Sequence, residues 1–194
     1  MKTNRIRRFI CAMLAFGIAV PAAAQTKSPY AGLERNEISS LSQPEVNALL
    51  AGQGMGFAKA AELNGYPGPL HVIELAGPLA LTSEQLDGTR KLMEAHKSRA
   101  RTLGAEVVAA ELALDRLFKE RKANAADVSA AAQRVGVLQA RLRAEHLNTH
   151  LAQTRLLDSE QIRRYSELRG YSTGSDQGAG APQDHSKPHQ HRSH

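Results

Sequence analysis

The chain has 194 residues and a formal net charge of +6, with 42% hydrophobic residues, 4% aromatic ones, no tryptophan and a single cysteine. So few rings exclude a core built on aromatic side chains and leave aliphatic helix packing as the main source of burial. The basic balance does not point to nucleic acid, because Lys2, Arg5, Arg7 and Arg8 place +4 of it within residues 1–24 and leave +2 for everything after.

Residues 1–24 read as a secretory signal peptide: a basic start, an apolar run over 9–20, and an A-x-A cleavage site at Ala22-Ala23-Ala24. Twelve apolar residues are too few to span a bilayer as a helix, and no later stretch is apolar enough, so no stable membrane insertion is expected. Cleavage also removes Cys11, the only cysteine. The exported chain then has neither disulfide nor thiolate, which suits a bacterial periplasm.

Residues 25–80 form a segment of short helices broken by glycine and proline. Ser42, Pro44 and Glu45 predict a helix start running to about residue 51. Gly52, Gly54 and Gly56 end it and read as a flexible linker. A second short helix is predicted over 57–63, turn chemistry over 64–69, and a further helical turn or two over 70–76.

From 81 to 168 there is no proline, and glycine occurs only at 88, 104 and 136. Thr82 and Gln85 form a capping box at the start of a long helix. Apolar or small residues then recur every seven positions, as Leu86, Met93, Ala100, Val107 and Leu114 beside Thr89, His96, Leu103, Ala110 and Leu117. Residues 121–124 interrupt this seam, and Asn124 with Asp127 caps a second helix carrying Val128, Val135, Leu142, Thr149 and Leu156. Two long helices with so short a link must run antiparallel. The predicted fold is all-α, a long antiparallel hairpin with short flanking helices. The seam is diluted by Ala, Thr, His and Glu, so another layer is expected, either the N-terminal segment or a second subunit. Asp158 and Gln161 restart a short helix ending near residue 170, closing a hairpin domain over 81–171. Residues 172–194 are Gly, Ser, Gln, Pro and His, a composition that predicts a disordered tail.

Leu81, Thr82 and Gln85 and, beyond the hairpin, Leu157, Asp158 and Gln161 belong to two versions of one five-residue phrase. Good helix starts alone account for these residue types. The pair also resembles the LTxxQ motifs of the Spy/CpxP family of periplasmic chaperones and stress modulators, with Asp158 standing where the family often has threonine. The likeness covers about 70–170 and the export signal. It implies long bent helices in a thin, cradle-shaped homodimer that binds unfolded or misfolded envelope proteins without ATP, some members restraining a stress-sensing kinase. Relatives in the same superfamily are periplasmic heavy-metal sensors or zinc-responsive chaperones. Among the bases on the two helices are Arg99, Arg101, Arg134, Arg141 and Arg143, interspersed with Glu94, Glu106 and Glu111. Such a surface serves either a client or plain solvation.

His146 and His150 are spaced i, i+4 on the second helix, a metal-ligand spacing suited to Zn, Ni or Cu. If the hairpin turns near Asn124, His96 comes opposite about position 151 and joins them, with Glu145 or Glu94 as further oxygen ligands. The alternative is a chance pair on a helical surface. Tail residues His185, His189, His191 and His194 add a loose metal collector or a polar end without a task. No cofactor is required by this reading. No hydrolase elbow, metalloprotease helix or P-loop is present, so no catalytic residues and no enzyme activity are expected.

Overall fold

A computed structural model describes residues 28–171, so the signal segment at 1–24 and the tail at 172–194 lie outside the described residues. The chain divides into two units between Glu34 and Arg35, and among the described residues every α-helix belongs to the second.

The regular elements of that second unit among the described residues are all helical: α1 (Gln43–Leu50), α2 (Lys59–Glu62), α3 (Pro69–Glu74), α4 (Ser83–Lys119), α5 (Ala125–Thr154) and α6 (Ser159–Leu168). No helix among the described residues is long and apolar enough to cross a membrane. The starts are set by side chains that satisfy orphan backbone N–H groups. Ser42, Thr82 and Asp158 each accept from the backbone N–H three residues on, while Glu45, Gln85 and Gln161 accept from the capping residue's own N–H. Asn124 caps α5 by accepting from the Asp127 N–H at 3.0 Å. Helix α4 stops where Arg121 turns to a φ of +54° and the Lys122 N–H reaches back to the Leu117 carbonyl at 2.9 Å.

Helices α4 and α5, about 55 and 45 Å long at 1.5 Å per residue, pack as the antiparallel hairpin. The layer that completes them is the N-terminal segment: α1 and α3 lie on α4, and α2 on α5. One apolar cluster joins Leu49 to Ala100, Val107, Ala110, Val135, Leu138 and Leu142. A second, at the motif end, joins Val72 and Leu79 to Leu157 and Tyr165.

The heptad rows describe α5 better than α4. Leu86, Met93, Leu103, Leu114 and Leu117 are only half-buried, whereas Gly104 and Glu111 are buried. Two causes combine. A straight helix drifts by about 20° per heptad from a seven-residue repeat, and α4 packs on two sides at once. Gly104 marks the closest approach: a Cβ there would lie 2.0 Å from the Leu49 carbonyl oxygen. Buried Glu111 is satisfied by Ser40 Oγ at 2.8 Å and Gln139 Nε2 at 3.2 Å.

Candidate functional site

Between the two clusters the hairpin interior is polar. Gln85 and Gln161, one from each motif copy, pair amide to amide: Gln85 Nε2 donates to Gln161 Oε1 at 2.8 Å and Gln161 Nε2 donates to Gln85 Oε1 at 2.9 Å. Gln85 also donates to the Leu156 carbonyl at 3.0 Å. One turn further along, Gln153 Nε2 donates to Thr89 Oγ1 at 3.1 Å. The next polar pair is His96 with Thr149.

His96 Nδ1 lies 2.9 Å from Thr149 Oγ1 and 3.2 Å from Glu145 Oε1, and Arg99 Nε donates to the same carboxylate oxygen at 2.9 Å. The Thr149 hydroxyl donates to the Glu145 carbonyl at 2.8 Å, so His96 carries its proton on Nδ1. The His146 ring stands edge-on to His96 with centroids 4.6 Å apart and stacks on Phe57 at 5.8 Å. His146 Nε2 is buried without a hydrogen-bond partner. Desolvation lowers both imidazoles, His96 below its usual value and His146 to about 4, where the neighbouring His96 adds to the effect.

His146 links stability to pH. The unfolded chain takes up this proton near pH 6.5 and the folded chain only near pH 4. The unfolded state therefore binds more protons inside that window, and stability falls as pH drops through it, by up to about 3 kcal/mol. Thermal unfolding of the parent should lose stability between pH 7 and 4.5, and His146→Phe should flatten that loss. Equal losses in both proteins would refute the assignment.

The three helix histidines do not converge as the spacing predicted. His96 meets His146 and Thr149, not His150. His150 is turned one face away, where Nδ1 donates to the Tyr66 carbonyl at 2.7 Å. The cause is angular: on α5, the residue opposite His96 is Thr149, and a step of about 100° takes the next side chain off the seam. Among the described residues no group of three or more His, Cys, Asp or Glu is arranged to hold a metal ion. The tail histidines lie outside the described residues.

Glu62 is a half-buried carboxylate held inside the fold. Its Oε1 accepts from Tyr165 OH at 2.6 Å and Tyr171 OH at 3.1 Å, with Arg169 Nε at 3.4 Å. Burial and this carboxylate both raise the Tyr165 pKa, so its hydroxyl stays a donor. The knot ties α2 to α6 over more than a hundred residues, a pairing with no local sequence signal.

His96, His146 and His150 also line an open cleft of about 670 Å³ beside the hairpin. Its walls are the loop after α1 and the start of α3. The glycine run read as a flexible linker is instead packed: Gly52 has φ +68°, and a Cβ on it would lie 3.1 Å from the Arg101 backbone nitrogen. Met55, Lys59, Leu70, Met93 and Lys97, none of them expected to form a site, complete the cleft with Arg101, which was expected only on a charged client-facing or solvated surface.

Comparison with family models, curated proteins and solved structures gave no match. The class that the fold defines is an all-α protein built on a long two-helix hairpin.

Proposed function

We propose that this chain is an exported periplasmic holdase or envelope-stress adaptor that binds misfolded envelope proteins without ATP. The observation that carries the reading is a second apolar strip on α5. Ala130, Val137, Ala144 and Leu151 follow one another at seven-residue intervals and all four are exposed. They lie away from the buried row of Val135, Leu138 and Leu142. Exposed Arg134, Arg141 and Arg143 accompany the strip.

Magnitudes favour a loose grip. Covering Val137 and Leu151 fully is worth at most about 1.5–3 kcal/mol each, and the alanines contribute less. Association costs at least about 4 kcal/mol in lost freedom, so this strip supports weak, reversible capture and not a tight specific complex. Cations beside it draw acidic segments of a client from a distance. The Gln85–Gln161 pair adds support, since it gives the duplicated motif a joint task at the base of the hairpin. In this reading the chain works as a homodimer and, as an adaptor, restrains a sensor kinase.

The test is suppression of client aggregation by the mature chain (25–194), with and without zinc. We expect suppression at stoichiometric excess, reduced severalfold by Val137→Ser with Leu151→Ser. Aggregation at the control rate would end the holdase reading. Suppression that appears only with zinc, and is lost on deleting 185–194, would transfer the function to metal sensing or buffering through Zn, Ni or Cu.

A further inference from the structure

The cleft beside the histidine pair has a chemistry that the client strip on α5 does not use. Its volume of about 670 Å³ falls within the range of about 300–1,000 Å³ typical of small-molecule sites. Three features of its lining define a ligand. Met55, Leu70 and Met93 present an apolar wall on which two of the side chains, Met55 at 43% and Leu70 at 48%, remain exposed. Methionine suits a hydrocarbon of no fixed shape, because its side chain is unbranched and polarisable.

The rim is cationic. Lys97 and Arg101 stand one turn apart on α4, and Lys59 faces the same space from α2. Like charges at i, i+4 oppose helix formation unless something neutralises them. Among the described residues none of the three has a carboxylate within ion-pair distance. Glu62, the one carboxylate in the lining among the described residues, is held through Oε1 by Tyr165 and Tyr171, and its Oε2 lies 3.7 Å from His150 Nδ1 without a hydrogen-bond partner.

The third feature is the inner wall, where the rings of buried His96 and His146 and half-buried His150 line the cleft. We propose that this cleft binds a free anionic amphiphile, a carboxylate on an aliphatic or aryl body, with the head drawn by Lys97, Arg101 and Lys59 and the body laid on Met55, Leu70 and Met93. A metal ion would leave the apolar wall unused, and an inorganic anion would do the same. The proposal stands independently of the holdase reading, whose strip lies on another surface.

The experiment uses sodium decanoate with the mature chain, followed by titration calorimetry and by 15N spectra of the histidine rings. Saturable one-to-one binding is expected, with a shift of the His146 ring signals. Lys97→Gln combined with Arg101→Gln should weaken it at least tenfold, and Leu70→Glu, also at the surface, should do likewise. Decyltrimethylammonium, with the same body and the opposite charge, should not compete. Absence of saturable binding at millimolar decanoate, equal binding of the cation, or unchanged affinity in both variants would overturn the proposal. Tighter binding of a short apolar peptide with a free C-terminus, lost on amidation, would also overturn it, because the site would then serve chain ends. Aggregation suppression measured on the same variants separates this outcome from failure of the holdase reading.

Discussion

Gly104→Ala is expected to destabilise the protein by about 2–3 kcal/mol, a large loss for the addition of one methyl group. In an isolated helix the same change would be favourable by about 1 kcal/mol, because alanine restricts the unfolded chain and glycine does not. The sign is reversed by packing. The new Cβ would lie 2.0 Å from the Leu49 carbonyl oxygen and 2.7 Å from its carbonyl carbon, both backbone atoms that cannot swing aside. Relief requires α1 to lift from α4, which uncovers Leu49, Ala100 and Val107 in the larger apolar cluster. At about 2–4 °C per kcal/mol for a chain of this size, the melting temperature should fall by about 5–10 °C. Gly136→Ala is the control, since a Cβ there meets nothing within 4 Å and α5 should gain slightly. A stabilised Gly104→Ala protein would show that α1 does not dock as described.

The second large effect is expected at the glutamine pair. Each amide closes its own capping box and also bonds its counterpart, so each side chain serves a local and a long-range purpose. Gln161→Ala should cost about 2–4 kcal/mol, of which about 1 belongs to the cap and the rest to part-buried polar groups left without partners. Gln161→Glu separates the two contributions. A carboxylate still accepts from the Asp158 N–H but has no hydrogen to donate to Gln85 Oε1. It should keep the cap and the bond donated by Gln85 Nε2, and lose the two that Gln161 Nε2 donates, to Gln85 Oε1 and to the Leu79 carbonyl. Gln85→Ala with Gln161→Ala should cost less than the sum of the single changes by about 1–2 kcal/mol, as residues in one network do. Strict additivity in denaturant unfolding would show that the motif copies act only as separate helix starts.

Much of the helical framework was legible because its signals are local. A capping residue and its partner sit three positions apart, so Ser42 with Glu45, Thr82 with Gln85 and Asp158 with Gln161 could be read directly as helix starts. The hairpin followed from the brevity of its link. The candidate site was legible only as a set of residue types. His96, His146 and Thr149 were visible, but their partners depend on rotations of α4 and α5 that the heptad pattern leaves open. His150 shows the consequence: correct spacing for a shared ligand, yet a side chain turned to the Tyr66 carbonyl. Lys59 and Lys97 gave no signal, and Arg101 only that of a charged helix face, since a surface cation looks the same in sequence whether or not it rims a cleft.

The amino-acid sequence by itself determined the all-α class, the starts of the capped helices and the antiparallel pairing of α4 with α5. Backbone N–H satisfaction and short loops act over a few residues and need no knowledge of the rest of the chain. Only the tertiary structure decided that the N-terminal segment supplies the covering layer, and that Gly104 is a contact and not merely a weak helix residue. It alone decided that Glu62 joins two distant tyrosines and that a glycine loop walls a cleft over His96 and His146. Those features join residues from about fifty to over a hundred positions apart. They are set by how whole helix faces fit together, a condition that no short window of sequence contains.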